Sequence, residues 1–316
     1  MIQLGITWNP SPEIFNIAGI SVRYYGMMFV IAFVLGSFIL RKIYKNEGVN
    51  EEHVDTLFMY VVIATILGAR LGEVFFYSWS YYQDHLLEIL LPIKETGSGS
   101  LLGIIDGWEF IGYRGLASHG ATIGIIFGMY IYAKKYTYRT WIWILDRIVV
   151  PVASGASFVR IGNLMNSEII GKKTDSALGF QFIREKYSSY EAMHITKSKT
   201  AEKAYDLIEN SPRFKQYLAE VPFRFPTQIF ESLSYGIIFV ILWYVYWNTN
   251  KKEKSGYLFG LFMVLLWSVR FVIEFFKEAQ IEAREDWVGV LNTGQLLSIP
   301  MILVGLYFMF RKVKIN

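Results

Sequence analysis

Long apolar segments constrain this chain more than any other feature of its sequence. Seven stretches are dominated by aliphatic and aromatic side chains, at residues 21–40, 55–77, 115–133, 141–159, 227–247, 256–276 and 294–310. Each approaches the ~20 residues with which an α-helix crosses a hydrocarbon core of ~30 Å. Charged residues make up only 18% of the chain, whereas soluble domains contain roughly 25%. We therefore predict an all-α polytopic membrane protein with about seven transmembrane helices.

Basic residues follow every second predicted span and indicate the orientation of the chain. They are Arg41, Lys42 and Lys45, then Lys134, Lys135 and Arg139, then Lys251, Lys252 and Lys254, and finally Arg311, Lys312 and Lys314. Because lysine and arginine accumulate in cytoplasmic loops, we predict a cytoplasmic C-terminus and an N-terminus on the outer side. This topology accounts for most of the net charge of +4, and the dispersed lysines predict no nucleic-acid binding.

Residues 172–224 are polar, mixed in charge and too long for a simple turn between two spans. On this topology they lie outside the membrane, where we predict a small extracytoplasmic head. A solvated loop without a task is the alternative interpretation. The prediction divides the chain into an N-terminal membrane part, residues 1–171, the head insertion, residues 172–224, and a C-terminal membrane part, residues 225–316.

The chain contains no cysteine. This excludes disulfides, thiolate metal sites and a cysteine nucleophile. The sequence also has no Walker A motif, no zinc-binding motif and no serine-nucleophile elbow. We therefore expect a function that needs neither a metal nor a cofactor.

Polar residues in six of the predicted spans fall at a similar depth. Counted at 1.5 Å per residue, they all lie toward the outer side. They are Tyr25, Arg70, Glu73, His119, Arg160, Asn163, Gln228, Glu231, Arg270 and Glu274. Ionisable groups within spans normally face a bundle interior or a water-filled cavity. We therefore predict a shared cavity that opens toward the outer leaflet, whereas Asp146 and Arg147, on the inner half, are interpreted as a structural ion pair.

The end of the fourth apolar stretch carries a group of polar residues at helical spacing. Arg160, Asn163 and Ser167 recur at i, i+3 and i+7 and are expected to share one helix face. Gly162 would let another backbone or a ligand approach this helix closely. We expect the helix to end with Gly171 as its C-cap.

A second polar stripe is formed by Arg270, Glu274 and Lys277, which recur at i, i+4 and i+7. Pro226 stands at the expected start of another helix, whose free N–H groups would favour an anion. Because guanidinium groups bind phosphate through two hydrogen bonds, arginines in the outer leaflet predict a phospholipid headgroup as the ligand. The neighbouring carboxylates are expected to orient the arginines.

The segment VRIGNLMNSEIIG, residues 159–171, resembles the signature of the prolipoprotein diacylglyceryl transferases. The matching positions are Arg160, Gly162, Asn163, Asn166, Glu168 and Gly171. Other segments resemble the family in the same order: RYYGMMF with Tyr25, GARLGEVFFY with Arg70, SHGATIG with His119, RFPTQIFE with Gln228 and Glu231, RFVIEFFKE with Arg270 and Glu274, and TGQLLSIPM. The resemblance covers nearly the whole chain outside residues 172–224. The sequence departs from the family pattern at Phe225, Phe230, Leu266 and Lys277.

The resemblance implies the first step of lipoprotein maturation, in the lipid bilayer of the bacterial cytoplasmic (inner) membrane. Phosphatidylglycerol would donate its diacylglyceryl group to the lipobox cysteine thiol in the signal peptide of a preprolipoprotein, forming a thioether and releasing glycerol 1-phosphate. The implied catalytic residues are His119 as a base, with Arg160 and Arg270 on the phosphodiester. The implied substrate-binding residues are Tyr25, Arg70, Asn163, Asn166, Glu168, Gly171, Gln228, Glu231 and Glu274.

Two other functions stay open from the residues alone. A transporter of an anionic lipid or solute would also bury arginines, although the sequence shows no inverted repeat and its polar residues cluster at one leaflet instead of the midplane. A membrane scaffold without catalysis has no need for several buried arginines. His119 also has two interpretations, as the base that takes the thiol proton or as a hydrogen-bonding residue that positions a substrate or a helix.

Overall fold

The computed structural model describes residues 5–17, 20–101, 105–110, 117–278 and 291–312. Most of these residues are helical. The helices are α1 Tyr24–Asn46, α2 Glu52–Phe76, α3 Trp79–Tyr82, α4 Leu87–Leu90, α5 Ser118–Lys135, α6 Trp141–Met165, α7 Ile183–Lys186, α8 Ser189–Thr196, α9 Ala201–Asn210, α10 Lys215–Ala219, α11 Thr227–Asn248, α12 Tyr257–Ile273 and α13 Thr293–Phe310, with 3-10 turns at Pro212–Phe214 and Asn250–Glu253. The strands are β1 Ile6–Trp8, β2 Glu13–Ile17, β3 Ile20–Arg23, β4 Ile93–Leu101, β5 Ile105–Phe110, β6 Phe180–Phe182 and β7 Phe223–Arg224.

Five of the helices within the described residues are long and apolar enough to cross a membrane: α1, α2, α6, α11 and α13. Helix α12 is apolar but shorter, and α5, which occupies most of the third predicted stretch, does not belong to the five. The prediction of a helical membrane protein is therefore confirmed in its coarse form. The count of seven spans stays a prediction.

Small sheets accompany the helices, so the expectation of an all-α fold needs a correction. Strand β1 pairs in parallel with β6, which pairs antiparallel with β7. Strands β2 and β3 form one antiparallel pair and β4 and β5 another. All these strands lie in the connections outside the long helices, where the chain has no helical run of apolar residues.

The chain forms two compact units, residues 1–40 with 145–316 and residues 41–144. In the second unit, α2 packs closely against α5 through glycines. A Cβ atom placed on Gly120 would lie 2.3 Å from the carbonyl oxygen of Gly68 and 2.6 Å from the Cα of Gly72. Gly124 approaches Gly68 in the same way. The absence of side chains at this crossing is what lets the two backbones touch.

Asp146 and Arg147, which interrupt the apolar stretch of α6, make structural contacts within the first unit. Their side chains form the predicted ion pair, with 3.6 Å between Arg147 Nη1 and Asp146 Oδ2. The Asp146 carboxylate also accepts the backbone N–H groups of Gly256 (2.6 Å) and Phe259 (2.8 Å). It therefore satisfies N–H groups at the start of α12 that have no partner within that helix.

Residues 172–224 form a folded region with a hydrophobic core of its own. The buried residues of this core are Ile183, Tyr187, Ala192, Ala204, Tyr205, Ile208 and Val221. Arg184 ties the chain's N-terminal segment to it, because Arg184 Nε donates to Asn9 Oδ1 (2.9 Å) and its Nη atoms donate to the Glu202 carboxylate. The hydrogen bonds from Arg184 to the carboxylate lower the pKa of Glu202. The placement of this region outside the membrane, and its separation as a domain, stay predictions.

The glycine crossing of α2 and α5 predicts a large effect of a small substitution. Gly120→Val places a branched side chain against backbone atoms, so the helices must separate. We expect the free energy of unfolding to fall by ~1–3 kcal/mol, measured by thermal denaturation in detergent. The matched control is Gly26→Ala in α1, where a Cβ atom would meet nothing within 4 Å. Equal melting temperatures for Gly120→Val and the wild type would contradict this account of the crossing.

Candidate functional site

Helix α6 ends earlier than the sequence indicates. Its last residue is Met165, and the chain then turns back through Ser167, which has a φ of 54°. The N–H of Ser167 donates to the Leu164 carbonyl (3.0 Å) and the N–H of Glu168 donates to the Asn163 carbonyl (3.1 Å). These two bonds form a Schellman motif, in which a left-handed residue closes the helix. The prediction that Gly171 caps this helix is therefore wrong, and so is the placement of Ser167 on its face.

Gly171 has a different structural reason to be a glycine. Its N–H donates to the Phe225 carbonyl (2.9 Å), and the next N–H, of Lys172, donates to the Phe276 carbonyl (2.8 Å). A Cβ atom on Gly171 would lie 2.6 Å from the oxygen of Phe225 and 2.7 Å from that of Phe276. Gly171 thus allows the segment after α6 to pass between the chain before α11 and the chain after α12.

A line of side-chain hydrogen bonds runs from α6 to the turn that follows it. Arg160 Nη1 donates to Asn163 Oδ1 (3.1 Å). Asn163 Nδ2 donates to Glu168 Oε1 (2.9 Å), which also accepts Asn166 Nδ2 (3.3 Å). The predicted shared face of Arg160 and Asn163 is confirmed. Each polar residue of this line fixes the orientation of the next, and the line ends at the exposed Glu168.

Carboxylates on α11 and just after α12 connect the two arginines. Arg160 Nε lies 2.9 Å from Glu231 Oε2, and the Glu231 side chain is only 1% exposed. Lys277 Nζ lies 3.4 Å from the other oxygen of Glu231 and 3.7 Å from Glu274 Oε1. Glu274 Oε1 in turn lies 3.8 Å from Arg270 Nε. The charges alternate in sign along this chain, which agrees with the expectation that the carboxylates orient the arginines.

The first turn of α11 holds the turn after α6. Gln228 Nε2 donates to the Glu168 carbonyl (2.7 Å), and Thr227 Oγ1 donates to the Ile169 carbonyl (2.9 Å). Both side chains are fully buried. Gln228 was predicted to bind substrate; the contact that its amide nitrogen makes here is with the protein backbone.

Tyr25, near the start of α1, lies next to the hydrogen-bonded line of Arg160, Asn163 and Glu168. A Cβ atom on Gly162 would lie 2.9 Å from the Tyr25 ring, so the glycine of the signature gives this ring its position. The Tyr25 hydroxyl interacts with Asn163 and lies in the electrostatic field of Arg160 and Glu168. The structure therefore brings together the predicted site residues of the first unit: Tyr25, Arg160, Asn163, Asn166, Glu168, Gly171, Gln228, Glu231, Arg270 and Glu274.

Two predicted site residues belong to the other compact unit. Arg70 is buried, and its Nε donates to the Ile89 carbonyl (3.0 Å) while its Nη2 donates to the Glu88 carbonyl. Its guanidinium also lies over the Tyr82 ring. These contacts stabilise the segment that contains α3 and α4. His119 lies in the first turn of α5, and its side chain is outside the described part of the structure.

Four residues at the site were missed by sequence reasoning: Thr227, described above, and the three that follow. Trp8, in β1, donates its indole Nε1–H to the Leu164 carbonyl (3.0 Å) at the end of α6. Tyr235 is buried on α11, with its hydroxyl next to Arg160 and Glu231. Asn292 caps α13 and donates to the Glu274 carbonyl (3.2 Å). Only Tyr235 carried a usable signal, because it follows Glu231 by one helical turn.

Comparison with known proteins shows the family to which the chain belongs. The family model described as prolipoprotein diacylglyceryl transferase matches residues 12–311. This chain belongs to that family. Relatives named phosphatidylglycerol–prolipoprotein diacylglyceryl transferase include those of Bacteroides fragilis (strain ATCC 25285), 36% identical over 98% of this chain and 96% of the relative, and Chloroherpeton thalassium, 33% identical over 98% and 95%. The relative from Tolumonas auensis is 33% identical over 97% of both chains.

The family match extends the resemblance seen in the sequence. Residues 172–224, outside the motifs that carry that resemblance, lie inside the matched range 12–311. The region is also joined to the signature through a small core of Leu164, Ile170, Phe180 and Phe182, against which Trp8 packs. Residues 172–224 thus help to support the signature through Phe180 and Phe182.

The close passage at Gly171 predicts that even one methyl group disturbs this site. In Gly171→Ala the new Cβ must push away two backbone carbonyls, so we expect a loss of ~1–3 kcal/mol in the free energy of unfolding. Hydrogen exchange at the amides of Gly171 and Lys172 should accelerate. Gly236→Ala on α11 is the control, because its Cβ would meet only the Ser157 hydroxyl at 3.8 Å. Unchanged exchange in Gly171→Ala would show that the passage is looser than described.

Proposed function

We propose that this protein transfers the diacylglyceryl group of phosphatidylglycerol to the lipobox cysteine thiol of a preprolipoprotein. The relatives' names give the two substrates. The observation that carries the proposal is the orientation of Arg160 by both Glu231 and Asn163 within the family signature. A guanidinium held from two sides presents its remaining N–H groups in a fixed direction, as recognition of a phosphodiester requires.

The reaction exchanges one carbon–oxygen bond for one carbon–sulfur bond. The cysteine sulfur attacks the carbon of the diacylglyceryl unit that carries the phosphate, and the sulfur–carbon bond of the thioether forms. The bond between that carbon and the phosphate oxygen breaks, its electron pair stays on the oxygen, and glycerol 1-phosphate leaves. The thiol proton must pass to a base because the thiolate is the nucleophile. We assign this task to His119, whose ordinary pKa of ~6.5 suits a base near neutral pH.

The two arginines have different surroundings, which suit different tasks. Arg160 is fixed by its two partners and would hold the phosphodiester in one orientation. The Arg270 side chain is 37% exposed and its Nε lies 3.8 Å from Glu274, so it can adjust to the departing phosphate. Charge that develops on the leaving group would then be stabilised by the fixed Arg160 and by Arg270, and this electrostatic stabilisation lowers the barrier to the reaction.

The remaining signature residues would orient the headgroup. Tyr25, Asn163 and Glu168 surround Arg160, and Glu168 is exposed. Its carboxylate can accept a hydrogen bond from a glycerol hydroxyl. Asn166 supports Glu168 through its amide. The proposal gives a supporting role to Gln228, which holds the backbone, and to Glu231 and Glu274, which hold the arginines. For Arg70 it keeps a contact with the headgroup, which the family resemblance implies.

The proposed setting is the bacterial cytoplasmic membrane, with seven spans, an outer N-terminus and a cytoplasmic C-terminus. Large apolar side chains at helical spacing on α1 are exposed, as a lipid-facing surface requires: Val30, Val34 and Phe38. The surface of α11 is similar, with Leu233, Ile237 and Val240 exposed. Residues 172–224 would then form the extracytoplasmic head, on the side where secreted preprolipoproteins arrive.

The activity is tested by incubating the purified protein with phosphatidylglycerol and a lipobox peptide. Mass spectrometry should find the peptide with one diacylglyceryl group on its cysteine, and glycerol 1-phosphate in equal amount. A peptide with serine in place of that cysteine, and a zwitterionic phospholipid as donor, should give no product. Movement of phosphatidylglycerol between leaflets without any thioether product would favour a transporter instead.

Arg160→Lys should inactivate the enzyme while leaving it folded. Lysine keeps the charge but cannot contact Glu231 and Asn163 and also present two parallel N–H groups to a phosphate. We expect kcat/KM to fall by roughly 10²-fold, as for the loss of one transition-state donor. Arg213→Lys, on the exposed surface of the head, is the control. Near-normal turnover by both Arg160→Lys and Arg270→Lys would refute the arginine assignment.

The pH dependence of His119→Gln separates a base from a positioning residue. A neutral histidine accepts the thiol proton, so wild-type activity should fall as the pH drops through the range in which an ordinary histidine becomes protonated, ~6.5. Glutamine keeps a hydrogen bond but takes no proton, and the rate should fall by about 10²–10⁴-fold. Part of this loss should be recovered above pH ~8.5, where the thiol ionises by itself. A defect of about tenfold or less at every pH would remove the base role.

A further inference from the structure

The turn after α6 contains two non-glycine residues in the left-handed region of backbone conformation. They are Ser167, with a φ of 54°, and Ile169, with a φ of 59°. A β-branched residue such as isoleucine rarely adopts this conformation, because its side chain crowds the neighbouring carbonyl. Such a backbone persists only where the surrounding structure holds it. The groups that hold Ile169 therefore decide the shape of this turn.

Those groups come from the first two residues of α11. Thr227 Oγ1 donates to the Ile169 carbonyl (2.9 Å), and Gln228 Nε2 donates to the Glu168 carbonyl (2.7 Å). Thr227 is fully buried, so its hydroxyl makes this bond away from water. Two successive carbonyls of the left-handed turn are thus fixed by one helix end.

The same turn carries the carboxylate that orients the signature. Glu168 Oε1 accepts the Asn163 amide, and Asn163 Oδ1 accepts Arg160 Nη1. A change in the backbone at Ile169 moves Glu168, and with it the partner that aligns Asn163 toward Arg160. Thr227 itself is buried beneath the turn and acts through these residues.

We infer that Thr227 is a positioning residue for the phosphatidylglycerol headgroup. Its hydroxyl holds Ile169 in the left-handed conformation and thereby fixes the line from Glu168 through Asn163 to Arg160. This inference rests on the proposed function, in which Arg160 binds the phosphodiester. It assigns a task to the second residue after Phe225 in the segment RFPTQIFE, outside the signature itself.

The first test compares Thr227→Val with Thr227→Ser. Valine has the shape of threonine but no donor, so the Ile169 carbonyl loses its partner, and KM for phosphatidylglycerol should rise about tenfold. KM for the lipobox peptide should not change. Serine keeps the hydroxyl and should stay within about twofold of wild type. Misfolding lowers the amount of active enzyme and hence kcat, but leaves KM unchanged, so KM reports positioning.

A second substitution tests the conformational cause directly. Glycine adopts the left-handed region without a steric penalty, whereas alanine retains that penalty. Adding Ile169→Gly to Thr227→Val should therefore restore most of the affinity for phosphatidylglycerol. Adding Ile169→Ala removes nearly the same side chain and should not. An unchanged lipid KM in Thr227→Val, or equal recovery by the alanine and glycine variants, would overturn the inference.

A binding measurement separates this inference from the proposed function. Calorimetry with short-chain phosphatidylglycerol in detergent gives a Kd that needs no turnover, and it should follow the same order across the variants. If Thr227→Val does not yield folded protein, Thr227→Ala is measured against the same criteria. A wild type that binds the lipid but forms no thioether would refute the proposed function alone. A Kd that is the same in the Thr227 and Ile169 variants as in the wild type would refute the positioning role alone.

Discussion

The buried ion pair between Arg160 and Glu231 is the interaction on which the site depends. Glu231 is almost completely shielded from solvent, with its carboxylate between the guanidinium of Arg160 and the ammonium of Lys277. A buried charge that has lost its partner destabilises a folded protein by several kcal/mol. Removing either Arg160 or Glu231 should therefore destabilise the protein far more than breaking an ion pair on its surface. The pair, together with the hydrogen bonds between Ser157 and Ser232, therefore fixes the register of α11 against α6. The hydrogen bonds from Thr227 and Gln228 to the turn after α6 depend on that register.

From this pair the contacts close into a ring. Arg160 is bonded to Asn163, Asn163 to Glu168, and the backbone of the next turn to Thr227 and Gln228 at the start of α11. One turn further along α11, Glu231 forms the ion pair with Arg160 that closes the ring. A ring of this kind has few independent motions, because each group is held from two sides. This ring explains how the short signature and the first turn of α11 together orient the guanidinium of Arg160.

Much of this arrangement could be predicted from the sequence because helices in membranes have regular geometry. Counting residues along apolar stretches placed Arg160, Glu231 and Arg270 at one depth, and the structure brings them into one network. The end of α6 could not be predicted, since the left-handed residue is Ser167 and glycine is the usual signal for that position. The backbone partners of Arg70 could not be predicted either, because an arginine bonded to backbone carbonyls has the same sequence pattern as one that binds a ligand. Trp8 gave no signal, since its partner is a backbone carbonyl 156 positions away.

The pairing of β1 with β6 sets an order on the biogenesis of this enzyme. Thr7 and Gln181, bonded across the two strands, are 174 positions apart. At a synthesis rate of ~5–20 residues per second, β6 is synthesised roughly 9–35 s after β1. An unpaired strand edge is a template for incorrect association, and the three-residue length of β1 keeps that template small. Lys277 and Asn292 are made later still, so a stalled or truncated chain contains the whole signature and yet lacks the contacts that complete it.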